Sequence, residues 1–137
     1  MTPMSRTLAA FTALCLALPF SAEAFTGRNG TRVNPINDSS FEVITRIGGA
    51  VDDYWCGASD YARRVLGASW TAQIYLLRGR GPSVTTGRRT AVQFTMDADA
   101  APPEGQGQFQ KYSLLNPGSH MSVQGAATFC QISPVWD

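Results

Sequence analysis

Two cysteines separated by most of the chain are the feature that most constrains how this sequence can fold. Cys56 and Cys130 lie 74 residues apart, and an even pair in an oxidising compartment is first interpreted as a disulfide. In the chain-entropy account, closing a loop of that length contributes about 4 kcal/mol, which is a large part of the roughly 5–15 kcal/mol typical of a domain. The sequence therefore predicts a Cys56–Cys130 disulfide, with two free thiols as the alternative.

The N-terminus indicates that the protein reaches an oxidising compartment. Residues 1–6 are positively charged, and an apolar stretch follows over residues 7–20. That stretch is shorter than the ~20 apolar residues that a membrane-spanning helix needs, and Ala22-Glu23-Ala24 has small residues at both positions that a signal peptidase reads. We expect residues 1–24 to be a cleaved signal peptide that takes Cys15 with it. An uncleaved anchor is the alternative.

After cleavage, residues 25–137 are expected to form a single small domain, periplasmic or secreted, with no transmembrane segment. Eleven basic and ten acidic residues give a net charge of +1, and cleavage would remove one of each, Arg6 and Glu23. This balance indicates no particular partner, and we predict no nucleic-acid partner. One histidine, few carboxylates and two cysteines expected in a disulfide supply too few ligands for zinc, so we predict no metal and no cofactor.

The spacing of apolar residues changes along the chain and predicts strands together with one long helix. Residues 41–47 alternate with the period of a strand, placing Phe41 and Val43 on one face. Apolar residues then recur at helical spacing over 51–66, and Gly67 is a typical helix stop. The sequence predicts the helix to pack against the sheet through this apolar face.

Further strands and turns complete the predicted fold. Residues 70–77 and 90–96 have strand patterns. The segment that connects them is too short for a helical crossover, so we predict that the two strands form an antiparallel hairpin with a long loop. Residues 109–115 are a candidate fourth strand, and residues 25–37 are predicted to be an arm over the domain. Residues 121–131 fit a short helix with Ser122 as N-cap, although a strand fits the same pattern. The fold class is therefore α+β, with three to four antiparallel strands, a main helix on one face, a short C-terminal helix and one disulfide.

The direction of Cys56 on the main helix is ambiguous. At helical spacing, Cys56 lies roughly 160° from the centre of the apolar face, among charged side chains. A bridge from that position would bind the C-terminal segment across the outside of the helix. Alternatively, regular helix begins only near Ser59, so that Cys56 lies in a turn.

Arginines are concentrated in a stretch without carboxylates, between Tyr61 and Met96. The four that flank the hairpin loop are Arg78, Arg80, Arg88 and Arg89. Arginine binds carboxylate and phosphate through two parallel hydrogen bonds, and the glycines of the loop would allow backbone amides to approach an anion. We predict that this hairpin contacts an anionic partner. The alternative is a solvated loop whose arginines pair with Asp52, Asp53 or Asp60.

The segment Trp55-Cys56-Gly57-Ala58-Ser59 resembles the active-site turn of thioredoxin-like proteins. In that family, the helix N-terminus stabilises a reactive thiolate. The resemblance covers about five residues and has Ser59 in place of the resolving cysteine. It implies a one-cysteine redox protein, with Pro82 as the candidate for the family's cis-proline, as the alternative function.

A histidine and a group of aromatic residues are two further candidates for a functional site. His120, the one histidine of the chain, would suit a general base for a serine or cysteine nucleophile, but no nucleophile-elbow motif accompanies it. Tyr54, Trp55 and Tyr61 would allow carbohydrate stacking, although aromatic residues at this spacing are most often core.

Several segments together resemble a family of small secreted proteins from alphaproteobacteria for which no activity is known. The similar segments are Asn34-Pro35, 41–47, 54–62, 74–76 with 78–83, and 91–95. The resemblance implies a periplasmic or secreted bacterial setting and transfers no functional residue. The predicted function is therefore a non-enzymatic periplasmic binding or accessory protein that uses its arginine-rich hairpin.

Overall fold

A computed structural model describes residues 24–46, 49–103 and 114–130. In these ranges, six antiparallel strands form one sheet in the order β1-β2-β3-β5-β4-β6, and two α-helices accompany it. The elements are β1 (Phe25–Thr26), β2 (Arg32–Pro35), β3 (Ser40–Ile44), α1 (Val51–Arg64), β4 (Gln73–Gly81), β5 (Ala91–Thr95), β6 (His120–Ser122) and α2 (Val123–Ala127), followed by a 3-10 turn (Thr128–Cys130). The predicted α+β class is confirmed, but the predicted number of strands, three to four, is smaller than the six observed.

The additional strands lie at the two edges of the sheet, where the sequence pattern is weakest. The segment 25–37, predicted as an arm, instead supplies β1 and β2, and β2 pairs with β3 from Arg32 opposite Ile44 to Pro35 opposite Phe41. At the other edge, the three residues of β6 pair with β4. Glycine, asparagine and proline in the first segment obscure the alternation of its short strands.

The hairpin of β4 and β5 is antiparallel, as predicted. Its first strand begins at Gln73 and not at residue 70, so that Trp70 lies in the preceding turn with 46% of its surface exposed. The connection, residues 82–90, is called the arginine loop below. The candidate strand over 109–115 falls mostly outside the described residues, and its last two residues lie in a turn.

Helix α1 is regular from its first residue, so the alternative start near Ser59 is wrong. The carboxylate of Asp53 accepts a 2.9 Å hydrogen bond from the N–H of Ala50 and closes the N-terminal turn. The helix ends at Arg64, two residues earlier than predicted. Gly67 follows in a left-handed conformation (φ +65°), which lets the N–H of Ala68 return to the carbonyl of Ala62 at 2.9 Å.

The middle of α1 is buried on both sides, in contrast to the expected charged outer face. All residues from Tyr54 to Ala62 are buried. One side packs on the sheet, where Gly57 lies against Thr31 and Val43. The other side is covered by α2 and the 3-10 turn, and there Cys56 is bonded to Cys130 with Cα atoms 4.8 Å apart. The disulfide therefore lies between two helical segments.

The C-terminal segment forms the short helix that the pattern favoured over a strand. The hydroxyl of Ser122 accepts a 3.0 Å hydrogen bond from the N–H of Gly125, as an N-cap does. The carbonyl of Val123 accepts a hydrogen bond from the hydroxyl of Ser59 on α1, at 3.0 Å. This bond and the disulfide fix α2 against α1.

The core between α1 and the sheet contains a cluster of aromatic rings among aliphatic side chains. The rings of Phe41 and Tyr61 are 4.7 Å apart and those of Trp55 and Phe94 are 5.0 Å apart. The indole N–H of Trp55 donates to the carbonyl of Leu114 at 2.8 Å. Each such buried ring contributes roughly 1.5–3 kcal/mol of transfer free energy, so this cluster is a main source of stability.

The predicted signal peptide, residues 1–24, lies outside the described residues except for Ala24. Within the residues that are described, no helix is both long enough and apolar enough to cross a membrane.

Candidate functional site

The arginine loop folds back over the face of the sheet opposite α1. The loop covers strand β3. All five residues of β3 are therefore buried, although only one face of the strand contacts α1. On the loop side, the side chain of Glu42 lies fully buried. A buried carboxylate is costly unless it is hydrogen-bonded, so its partners define what holds the loop.

Glu42 is held by three consecutive loop residues. Its Oε2 accepts from the N–H of Val84 at 3.0 Å, and its Oε1 accepts from the N–H of Thr85 at 3.0 Å. The hydroxyls of Ser83 and Thr85 donate to Oε1 through short hydrogen bonds. Burial alone would raise the pKa of Glu42, but the bonds from the two hydroxyls and the two backbone amides favour the charged form, and the pKa is lowered.

Further hydrogen bonds fix the rest of the arginine loop. The side-chain amide of Asn34 on β2 donates to the hydroxyl of Thr85 at 2.8 Å. The N–H of Ser83 donates to the carbonyl of Arg88 at 2.8 Å, and the N–H of Arg88 donates to the hydroxyl of Thr86 at 3.1 Å. These bonds close the loop and place Thr86 and Arg88 at the end of the sheet where β1, β2 and β3 meet.

Three arginines surround a cavity of about 240 Å³ at that end of the sheet. Arg32 lies in β2, Arg46 follows β3 and Arg88 comes from the arginine loop. The strand register places Thr26, Arg32 and Ile44 side by side across β1, β2 and β3. The described residues that line this arginine groove are Thr26, Gly30, Arg32, Ile44, Thr45, Arg46, Thr86 and Arg88.

Among the residues that the structure describes, none of the three arginines of the arginine groove forms an ion pair. All three residues are exposed. In the described ranges, the two ion pairs join Asp60 to Arg28 at 3.5 Å and to Arg64 at 3.3 Å, and neither involves the groove. Three like charges around one small cavity repel each other, so an anion that enters it gains favourable interactions with all of them.

A second cavity of about 410 Å³ adjoins the groove and is called the polar cavity below. It shares Gly30, Thr45 and Arg46 with the groove. Its other described lining residues are Asn29, Thr31, Gly49 and Asp53. Asp53 contributes a carboxylate to the lining of the polar cavity. The lining is therefore cationic in the arginine groove, and it is polar with one acidic group in the polar cavity.

The four hairpin arginines predicted to contact a partner have different surroundings. Arg78 donates to the carbonyl of Ala91 at 3.3 Å, and Arg80 donates to the carbonyl of Gly49 at 2.9 Å while its guanidinium lies over the ring of Tyr54. Arg88 lines the arginine groove. Arg89 is exposed and is not among the residues that line the groove.

The three arginines of the groove come from three separate segments of the chain, and the sequence did not predict that they lie together. Arg32 lay in a segment interpreted as an arm, and Arg46 and Glu42 were simply polar positions of a strand. A glutamate in the middle of an apolar strand, with a loop rich in Ser and Thr later in the chain, is a signal from which a buried contact could have been inferred. The partner of that glutamate depends on how the hairpin folds back, which local periodicity does not encode.

The residues of the alternative predictions are engaged elsewhere. Cys56 is fully buried and disulfide-bonded, and the peptide bond before Pro82 is trans. His120 lies on the edge strand β6, where its Nδ1 is 3.1 Å from Oε1 of Gln73 and its ring is 5.3 Å from that of Tyr75. The aromatic residues Tyr54, Trp55 and Tyr61 are core residues, at most 4% exposed.

In the described ranges, no three His, Cys, Asp or Glu side chains are grouped closely enough to hold a metal ion. Comparison with protein-family models, curated proteins and solved structures gives no match for this chain. Fold and site together define a small disulfide-linked α+β protein with a cationic groove at one end of its sheet.

Proposed function

We propose that the protein is a non-enzymatic, extracytoplasmic binding or accessory protein that holds an anionic group of its ligand or partner in the arginine groove. The observation that carries this proposal is the set of three exposed arginines, Arg32, Arg46 and Arg88, that line one cavity and form no ion pair with any described residue. Of the four hairpin arginines, Arg88 belongs to this site, and it is joined there by Arg32 from β2 and by Arg46, which follows β3.

The groove has the chemistry that favours anions over other ligands. Guanidinium groups present planar pairs of N–H donors that match carboxylate and phosphate oxygens. Thr26 and Thr86 also line the cavity, and a threonine hydroxyl is able to donate to an anion. Because Glu42 fixes the arginine loop before a ligand arrives, less conformational entropy is lost when Arg88 binds an anion.

A binding role suits the rest of the molecule better than catalysis. Cys56, the candidate nucleophile, is bonded to Cys130, and the polar partner of His120 is the amide of Gln73. Neither residue is among those that line the groove. The groove itself contains cations and hydroxyls, which suit recognition of charge.

The extracytoplasmic location has three supports. The apolar leader over residues 7–20 and the resemblance to small secreted proteins both favour export. A disulfide that joins two helical segments is typical of proteins that fold in an oxidising compartment.

Calorimetric titration of the purified protein, residues 25–137, with orthophosphate at low ionic strength tests the proposal. We expect saturable binding that weakens as salt is added, because the contacts are ionic. Arg88→Ala is expected to reduce the affinity about tenfold, as loss of one charge-assisted contact does. Arg89→Ala is the matched control, because it removes the same charge from the next residue outside the groove. Equal affinities for the two variants would contradict the proposal.

A further inference from the structure

We infer that the ligand is the phosphate monoester of a sugar, with its phosphate in the arginine groove and its hydroxyl groups in the polar cavity. This inference rests on the proposed function and adds the chemical class of the ligand. It is carried by the contiguity of the two cavities, one cationic and one lined by mixed donors and acceptors.

The arginine groove is too small for a whole organic ligand. Cavities that enclose drug-sized molecules have volumes of about 300–1,000 Å³, and the groove has about 240 Å³. A terminal phosphate is compact, carries up to two negative charges and offers three oxygens to Arg32, Arg46 and Arg88. A carboxylate carries a single negative charge, so it would offset less of the positive charge of the three arginines than a phosphate does.

The polar cavity is lined by residues that supply both hydrogen-bond donors and acceptors, and a hydroxyl group can pair with either. Asn29 donates from Nδ2 to the backbone carbonyl of Asp53 at 2.9 Å and retains a second N–H on the same nitrogen. The Oδ2 atom of Asp53 accepts from Ala50, and its Oδ1 atom has no partner within the described residues. The hydroxyl of Thr31, a buried residue, donates to Oδ1 of Asn29 at 2.8 Å and so fixes the orientation of the Asn29 amide.

Asp53 also determines what the polar cavity rejects. A second phosphate or carboxylate at that end would be repelled by the carboxylate of Asp53. A ligand that is anionic at one end and hydroxylated at the other fits both cavities. Such a ligand crosses from one cavity to the other along Gly30 and Thr45, which line both.

Calorimetry with glucose 6-phosphate, orthophosphate and glucose tests the inference on the purified protein. We expect glucose 6-phosphate to bind about tenfold more tightly than orthophosphate, as one added hydrogen bond to a charged group allows, and glucose alone to show no measurable binding. Asp53→Asn should abolish the tenfold gain without weakening orthophosphate binding, because the variant removes a negative charge. Asp52→Asn is the matched control: it removes the same charge from the same helical turn at a residue that does not line the cavity, and it should retain the gain.

The possible outcomes separate this inference from the proposed function. Equal affinities for glucose 6-phosphate and orthophosphate, or an equal loss of the gain in both variants, would overturn the inference and leave the anion-binding groove intact. Absence of binding by both ligands would overturn both proposals. Phosphorylated mannan, titrated in parallel, distinguishes a free sugar phosphate from a phosphate carried on a glycan. Binding of glucose 6-phosphate or of phosphorylated mannan that depends on Asp53 supports the inference. Tighter binding of the mannan would show that the natural ligand is a phosphate carried on a glycan.

Discussion

The carboxylate of Glu42 accepts a 3.0 Å hydrogen bond from the backbone N–H of Thr85, a residue 43 positions later in the chain. This contact joins the central strand β3 to the arginine loop. It explains how an acidic side chain can be fully buried in the sheet, and it also explains why Arg88 lies beside Arg32 and Arg46. The stability of the loop and the geometry of the arginine groove therefore depend on the same carboxylate.

Glu42→Gln should destabilise the protein by about 2–3 kcal/mol, the value of a buried hydrogen bond to a charged group. The amide of glutamine has one acceptor oxygen, so its NH₂ group must face an N–H or hydroxyl donor of the loop. Urea unfolding measures the change in the free energy of unfolding. Asp38→Asn, at an exposed position, is the control and should change it by less than about 0.5 kcal/mol. A similar effect of the two substitutions would show that the loop does not depend on Glu42.

The lowered pKa of Glu42 predicts a specific loss of stability in acid. Its ordinary value is 4.5, and hydrogen bonds in the folded state lower it. The stabilisation is therefore fully present above pH 4.5 and is lost as the pH falls through the lower pKa of the folded protein. Free energies of unfolding measured from pH 7 to pH 3 should fall more steeply below pH 4.5 in the wild type than in Glu42→Gln. Parallel curves would be inconsistent with an ionised Glu42 in the fold.

Replacing both disulfide cysteines, as Cys56→Ala with Cys130→Ala, should lower the free energy of unfolding by about 4 kcal/mol. The disulfide restricts a loop of 74 residues in the unfolded chain, and it joins α1 to the 3-10 turn. Peptide mass spectrometry of the non-reduced wild type should show the Cys56–Cys130 crosslinked peptide. A free Cys56 that reacts rapidly with an alkylating agent would instead support the one-cysteine redox alternative.

Gly57→Ala should destabilise the fold by roughly 1–3 kcal/mol, as overpacking of a core does. A Cβ atom at residue 57 would meet the hydroxyl of Thr31 and would lie 2.9 Å from Cγ1 of Val43. Gly87→Ala is the control, because a Cβ there has no neighbour within 4 Å. Thermal unfolding of both variants measures the difference, and equal melting temperatures would contradict the close packing of α1 on the sheet.

Local periodicity was sufficient for the elements whose own residues form a strong pattern. Helix α1 and the hairpin of β4 and β5 could be predicted because their apolar residues repeat over many positions. The strands β1 and β2 could not, since they contain two and four residues in a segment rich in turn-forming residues. The burial of Cys56 also escaped the helical projection, because it depends on a segment more than 60 residues later that covers the second side of α1.

The arginine groove was only partly predictable for a similar reason. The concentration of arginines around the hairpin was visible in the sequence, and Arg88 is one of them. Which other cations join it depends on the strand register that aligns Arg32 with Ile44 and on the fold of the arginine loop over β3. These are long-range relationships, and the spacing of residues within one segment does not encode them.

The central claim is that Arg32, Arg46 and Arg88 form one anion-binding site, and nuclear magnetic resonance tests it most directly. Orthophosphate is titrated into ¹⁵N-labelled protein at low ionic strength, and changes in backbone amide shifts are mapped onto the structure. We predict saturable changes concentrated at residues of the groove, including Gly30, Arg46 and Thr86. Changes confined to other exposed arginines such as Arg28 and Arg64, or no saturable change at all, would contradict the account.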